Sequence, residues 1–214
     1  MKIVDKILRN DAVDLSRYVY TPSTGIYNAK ERTIYGETWP ETHFKLQAQG
    51  LRMPTIHEFK EFLKYMKHGY PDRAEADSIL DDILTVRSPW RAEWLDARFE
   101  EKNGILHVNY CHKVQGNKLV AQYSMPLEVC LVKNKFAGID LEEWLNNSTQ
   151  QGLPKQDIKK GALYYCSPTK DNVARFIADL VGAYFDCDRN QQDPYGSLGV
   201  FACIEGVTKE GNIR

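Results

Sequence analysis

The chain has 214 residues, of which 43% are hydrophobic and 27% are charged. This is the composition of ordinary globular domains, and a chain of this length can bury a core without disulfide or metal cross-links. Its formal net charge of -1 argues against a nucleic-acid binder that relies on a broad basic face. No apolar stretch approaches the roughly 20 residues of a membrane span, and Met1–Lys6 does not begin a signal peptide. We therefore expect a soluble protein without a nucleic-acid partner and without membrane insertion.

The five cysteines form no CxxC pair, and no His/Cys spacing resembles a zinc site. Cys111 and His112 are adjacent, and neighbours on a strand point to opposite faces. We interpret the cysteines as small buried hydrophobes and expect neither a metal nor a cofactor.

The first 50 residues are rich in Tyr, Thr and Gly and lack a helical period, which predicts short strands and loops. Thr55 and Glu58 then form a capping box that predicts a helix ending near Gly69. Its apolar residues recur at helical spacing: Ile56, Phe59, Leu63, Met66. A second helix is predicted from about Ala74 to Thr85.

After Pro89 the pattern changes to large apolar residues that we expect in the core: Trp90, Trp94, Leu95, Phe99. A short helix is predicted to begin at Asp140, and residues 146–160 are turn-rich, which indicates a long surface loop. Strands are predicted at Ile105–Val114, Lys118–Leu127, Ala162–Cys166, Val173–Asp179, Ala183–Arg189 and Gly199–Ile204. Helices followed by a β-rich half predict a single α+β domain over residues 1–214.

Two neighbouring strands near the C-terminus alternate between an apolar and a mixed face. The apolar face, which we expect inside, comprises Phe176, Ala178, Ala183, Phe185 and Cys187. The face that we expect outside comprises Ile177, Asp179, Tyr184, Asp186 and Asp188. A polar loop, Asn190–Ser197, follows and contains Asp193 and Tyr195. Tyr, Ser, Gly, Asn and Asp on a rigid frame are the chemistry of antibody binding loops.

The segment Asp171–Cys203 contains no Lys, Glu, Met or Trp. Mutation of AAC or AAT codons at their adenines can give Tyr, Asp, Asn, Ser, Gly, Ile, Phe or Leu, but none of those four residues. Gln is also inaccessible by that route, so Gln191 and Gln192 are not among the residues we expect to vary.

Two stretches resemble formylglycine-generating-enzyme-type C-type-lectin domains. Leu51–Thr55 before Glu58 resembles the R-(L/M)-P-T-x-x-E start of their first helix, and Val173–Phe176 with Leu198–Ala202 resembles their closing strands. Phe201 stands where an Arg often occurs. With the Asn/Asp/Tyr-rich stretch between fixed apolar positions, the chain is similar to variable proteins of diversity-generating retroelements, and Glu93–Ala97 looks closest to their archaeal and archaeal-virus members.

The resemblance implies a C-type-lectin fold, with two helices packed on antiparallel β-sheets. It implies an N-terminal extension over about residues 1–40 and a variable ligand-binding region over about residues 161–205. The implied ligand is a protein or cell-surface molecule, and the chain would act by binding, with a place on a virion surface left open. The residues implied to vary and bind are Ile177, Asp179, Tyr184, Asp186, Asp188, Asn190, Asp193 and Tyr195.

Other interpretations stay open on the sequence alone. An ordinary solvent face has the same alternation, and a fixed structural or adaptor protein of a virus particle would have no variable positions. A formylglycine-generating-type enzyme needs an active-site cysteine pair with metal access, whereas Cys166, Cys187 and Cys203 lie on apolar faces where we expect them to be buried and unreactive. Clustered carboxylates also suit calcium: Asp179, Asp186, Asp188, Asp193.

Overall fold

The computed structural model describes residues 13–131 and 137–205. They form a mixed α+β fold, which confirms the predicted class. The described α-helices are α1 (Trp39–Ala48), α2 (Ile56–His68), α3 (Arg73–Leu84) and α4 (Leu141–Asn146). In this part of the chain no helix is long and apolar enough to cross a membrane. The stretch Met1–Lys6, on which the signal-peptide prediction depends, lies outside the described residues.

Side-chain caps start these helices. In α2 the Thr55 hydroxyl accepts from the Glu58 N–H (3.2 Å), and Glu58 accepts from the Thr55 N–H (2.8 Å), as the sequence predicted. Thr38 and Glu41 form the same reciprocal pair at the start of α1. The expectation that the first 50 residues hold only strands and loops is therefore wrong for α1, whose capping box was available in the sequence.

Eleven strands are described: β1 (Tyr18–Thr21), β2 (Ile26–Ala29), β3 (Arg91–Lys102), β4 (Ile105–Gln115), β5 (Lys118–Pro126), β6 (Ala137–Ile139), β7 (Leu163–Cys166), β8 (Val173–Ala178), β9 (Ala183–Arg189), β10 (Leu198–Gly199) and β11 (Cys203–Glu205). The small sheet has the order β1-β2-β11. The large sheet has the order β5-β4-β3-β8-β9-β7-β6, with β10 paired to β3. Two pairings are parallel, β7 with β9 and β10 with β3, and the others are antiparallel.

Three sequence-based boundaries change. The predicted strand Gly199–Ile204 is two short strands in different sheets, because β10 pairs with β3 and β11 with β2. Residues 13–40 of the predicted N-terminal extension are integrated into the fold through the small sheet, where Val19 and Ile26 are buried. The predicted surface loop 146–160 is buried at Gln151–Pro154, because the Trp144 indole donates to the Gly152 carbonyl (2.8 Å).

The large sheet is covered on both faces at its centre. One face and helices α2 to α4 enclose the main core, where Phe59, Trp144 and Phe185 are fully buried. The opposite face carries a second core: Trp39, Leu46, Met53, Ala92, Trp94, Val173, Ile177, Leu198, Val200, Ala202. The central strands therefore have no fully solvated face, which decides where a binding surface can lie.

Candidate functional site

Strands β8 and β9 bring four side chains together on the face predicted to be exposed. Ile177 lies opposite Tyr184, and Arg175 lies opposite Asp186, in the antiparallel register. Cross-strand partners share a face. The alternation therefore identified one continuous side of the sheet around these four residues.

The segment Asn190–Ser197, hereafter the 190–197 loop, lies across this face. It leaves β9 near Val173 and rejoins the sheet where Leu198 aligns with Ala92. Main-chain hydrogen bonds fix it at both ends: Trp39 donates to the Gln191 carbonyl (3.0 Å), and Ala92 donates to the Ser197 carbonyl (3.1 Å). A loop with its backbone tied to buried elements presents its side chains in one arrangement.

The expectation that Ile177 and Asp186 are exposed is wrong, since each is only 8% exposed. Ile177 joins the second core, which also contains Trp39 of α1 and Leu198 of the returning chain. Asp186 accepts a hydrogen bond from Arg175 Nε at 2.9 Å. Burial lowers the pKa of Arg175, although Asp186 opposes that shift. A buried ion pair therefore joins β8 and β9 on this face.

Asp188 does not continue this face, because the register shifts. Arg175 pairs with Asp186, but Val173 pairs with Arg189, so β9 carries one extra residue there. Such a bulge reverses the alternation beyond it. Arg189 takes the position expected for Asp188, whose carboxylate instead accepts from the Thr169 hydroxyl at 2.6 Å.

Asp179 and Tyr184 lie at the hairpin between β8 and β9. Asp179 Oδ1 accepts from the Val181 N–H (2.7 Å) and the Gly182 N–H (3.2 Å), which shapes the turn. Tyr184 stacks on Tyr164 at a centroid distance of 4.8 Å, and burial raises its pKa. Both residues are partly exposed, as a contact surface requires.

The 190–197 loop presents one large aromatic side chain. Tyr195 is 42% exposed and packs edge-on against Trp90 (5.4 Å between centroids), with the Arg189 guanidinium 4.9 Å from its ring centre. Arg189 also pairs with Asp193 at 2.7 Å. Asn190 is exposed, and its side-chain oxygen accepts from the Gln192 N–H at 2.9 Å. The loop and the end of β9 therefore combine an aromatic ring, a cation and amides on a fixed backbone.

The four carboxylates considered for calcium have protein partners instead. Asp186 and Asp193 pair with arginines, Asp188 with a hydroxyl and Asp179 with two backbone N–H groups. This arrangement disfavours the calcium interpretation.

Two contributors were not recognised from the sequence. Trp90 was assigned to the core, but it is half-buried and supports Tyr195. Strict alternation predicts that Arg189 points inward, and the bulge that reverses this leaves no clear mark in a single sequence. Searches of family models, curated proteins and solved structures returned no match to this chain.

Proposed function

We propose that the chain is a ligand-binding protein on a C-type-lectin-type scaffold, whose exposed residues around the 190–197 loop are diversified by a retroelement. Its ligand is a protein or cell-surface molecule. The observation that carries the proposal is the placement of Tyr195, half-exposed between Trp90 and Arg189 on a loop tied to the sheet.

The chemistry of this cluster suits recognition of a macromolecule. Tyr, Trp and Arg are the residue types enriched among binding hot spots. Because the loop backbone is already fixed, little conformational freedom is lost on binding. The surrounding amides of Asn190 and Gln192 can donate and accept hydrogen bonds with different partners. Both the shape and the composition therefore favour binding.

The thiols favour binding over catalysis of the formylglycine-generating type. Burial raises the pKa of Cys187 and of Cys203 well above the usual thiol value. Cys166 is buried as well. A reactive cysteine needs thiolate character and access, which the first two lack.

The scaffold separates residues that can change freely from residues that cannot. Surface substitutions usually alter stability by no more than about 0.5 kcal/mol, which applies to Asn190, Asp193 and Tyr195. Ile177 and Asp186, by contrast, are held in the second core and in a buried ion pair. Among the positions implied by the resemblance, the loop and the hairpin are thus the best placed for diversification.

Deep sequencing of this locus in a natural population tests the proposal. We expect adenine-directed substitutions to concentrate at the codons of Asp179, Tyr184, Asn190, Asp193 and Tyr195. The codons of Phe176 and Phe185, buried in the same two strands, are the matched control and should stay fixed. Variation that is absent, or spread evenly over both sets, would refute diversification and favour the fixed structural or adaptor protein.

A further inference from the structure

Three side chains from separate elements converge in the interior beneath α1. His43 comes from α1, Asp96 from β3 and His112 from β4. Their side chains are 0%, 1% and 5% exposed. One potential ligand atom from each residue lies within 4.8 Å of the other two. Two imidazoles and a carboxylate so close in the interior form a ligand set for a first-row divalent metal.

His43 supplies the second, independent observation. Neither of its ring nitrogens has a hydrogen-bond partner, although the side chain is completely buried. A neutral imidazole ring has one N–H and one free lone pair. A buried polar group without a partner destabilises the folded state. A cation bound to one nitrogen would satisfy that lone pair.

The local backbone holds these groups in place. The register between β3 and β8 shifts between Trp94 and Arg98, so Asp96 lies in a bulge. Its Oδ2 accepts from the His112 N–H at 2.9 Å, in place of a strand neighbour. On the other side of His112, its carbonyl accepts from the Gln47 side-chain amide at 3.0 Å. The ligand positions are thus fixed by hydrogen bonds that do not use the ring of His43.

Trp39 confines both imidazoles. Its indole meets the ring of His43 edge-on at 4.3 Å and the ring of His112 at 4.9 Å between centroids. The indole N–H donates to the Leu95 carbonyl at 2.9 Å, next to Asp96. Rings fixed in this way lose little freedom when they coordinate a metal, which is the usual role of outer-shell contacts.

We propose that His43, Asp96 and His112 bind a zinc ion. In a tetrahedral zinc site with bonds near 2.0–2.1 Å, neighbouring ligand atoms are about 3.4 Å apart. His43 Nε2 and Asp96 Oδ1 are 3.6 Å apart, which is too long for a hydrogen bond and close to that separation. The direct hydrogen bond between the His112 ring and Asp96 is replaced by coordination to the same cation. Imidazole nitrogens select zinc over calcium or magnesium, which prefer oxygen ligands.

The site joins the scaffold to the binding surface. His43 follows Trp39 by about one turn of α1, and the Trp39 backbone N–H donates to the Gln191 carbonyl in the 190–197 loop. Zinc would therefore lock α1 against β3 and β4 directly behind that loop. Its role is structural, and it does not depend on whether the loop varies.

Zinc binding by the untagged full-length chain tests the site. The protein is stripped with EDTA, reloaded with zinc chloride, gel-filtered and analysed for metal by mass spectrometry, and its affinity is measured by calorimetry. We expect one zinc ion per chain. At a zinc concentration about 100 times Kd the melting temperature should rise by roughly 5–10 °C. Cobalt as a probe should give the visible absorption of a low-coordinate ion.

The variants compare ligands with a histidine elsewhere. Asp96→Asn preserves the side-chain shape, and His43→Ala removes one imidazole. Each single variant should weaken zinc binding by at least roughly 100-fold, since even outer-shell changes cost about 10- to 100-fold. His107→Ala, on the same strand as His112, is the control and should bind as the wild type does. A wild-type chain that keeps no zinc and gives no cobalt spectrum overturns the proposal whatever the variants do. Equal affinity in all three variants overturns it as well.

Discussion

Replacement of Ile177 by Ala should destabilise the protein strongly, because the side chain is buried in the second core. It is 8% exposed and belongs to the second core. The change removes three carbon atoms, worth about 0.8 kcal/mol each when buried. The cavity left behind adds to this, for a total of about 2.5–4 kcal/mol. For a chain of this size the melting temperature should fall by roughly 5–15 °C.

Leu180→Ala is the matched control, because Leu180 is three positions away in the chain and 71% exposed. Its substitution should change the free energy of unfolding by less than about 0.5 kcal/mol. Urea unfolding followed by circular dichroism measures both variants. If both variants lose the same small amount of stability, the Ile177 face of β8 is solvated and the covered-face reasoning fails.

Two further substitutions test a partly buried and a fully buried charged group. Arg52→Lys should lower the free energy of unfolding by about 1–2 kcal/mol, because a lysine cannot reproduce the two-pronged contact of Arg52 with Glu58, where both distances are 2.7 Å; an unchanged urea midpoint would contradict this. Burial raises the pKa of Glu93 to about 7 despite its contact with Arg32, so the folded state binds that proton more tightly than the unfolded state. Stability from this group is present below about pH 4.5 and is lost as the pH rises to about 7. Glu93→Gln should therefore flatten the dependence of the unfolding free energy on pH between 5 and 8. An identical slope in the wild type and the variant would refute this prediction.

The helices and most strands could be predicted because their signals are local. The capping box of Thr55 and Glu58 and the apolar spacing after it predicted α2. The same type of signal at Thr38 and Glu41 was available and was missed, since the Tyr-rich context suggested strands. The burial of the middle of the loop after α4 could not be predicted this way. It depends on a side-chain hydrogen bond from the Trp144 indole to the Gly152 carbonyl, which no local sequence pattern indicates.

The candidate binding face was predicted only in part, because alternation gives the sides of a strand but not what covers them. Tyr184, Asn190 and Tyr195 are partly or fully exposed, as expected. Ile177 is buried because α1 and the segment that returns through β10 share the second core with it. Nothing in the alternation of one strand specifies that return, which depends on the parallel pairing of β10 with β3.

Two bulges explain the remaining differences and connect the two proposals. The extra residue in β9 brings Arg189 rather than Asp188 against Tyr195. The shift in β3 leaves Asp96 to accept from the His112 backbone. A bulge conveys no reliable pattern in a single sequence, yet each one re-aims a charged group where a strand leaves its partner. The surface that we propose for ligand and the interior that we propose for zinc therefore arise from the same physical cause, which is interrupted pairing in a sheet whose centre is covered on both faces.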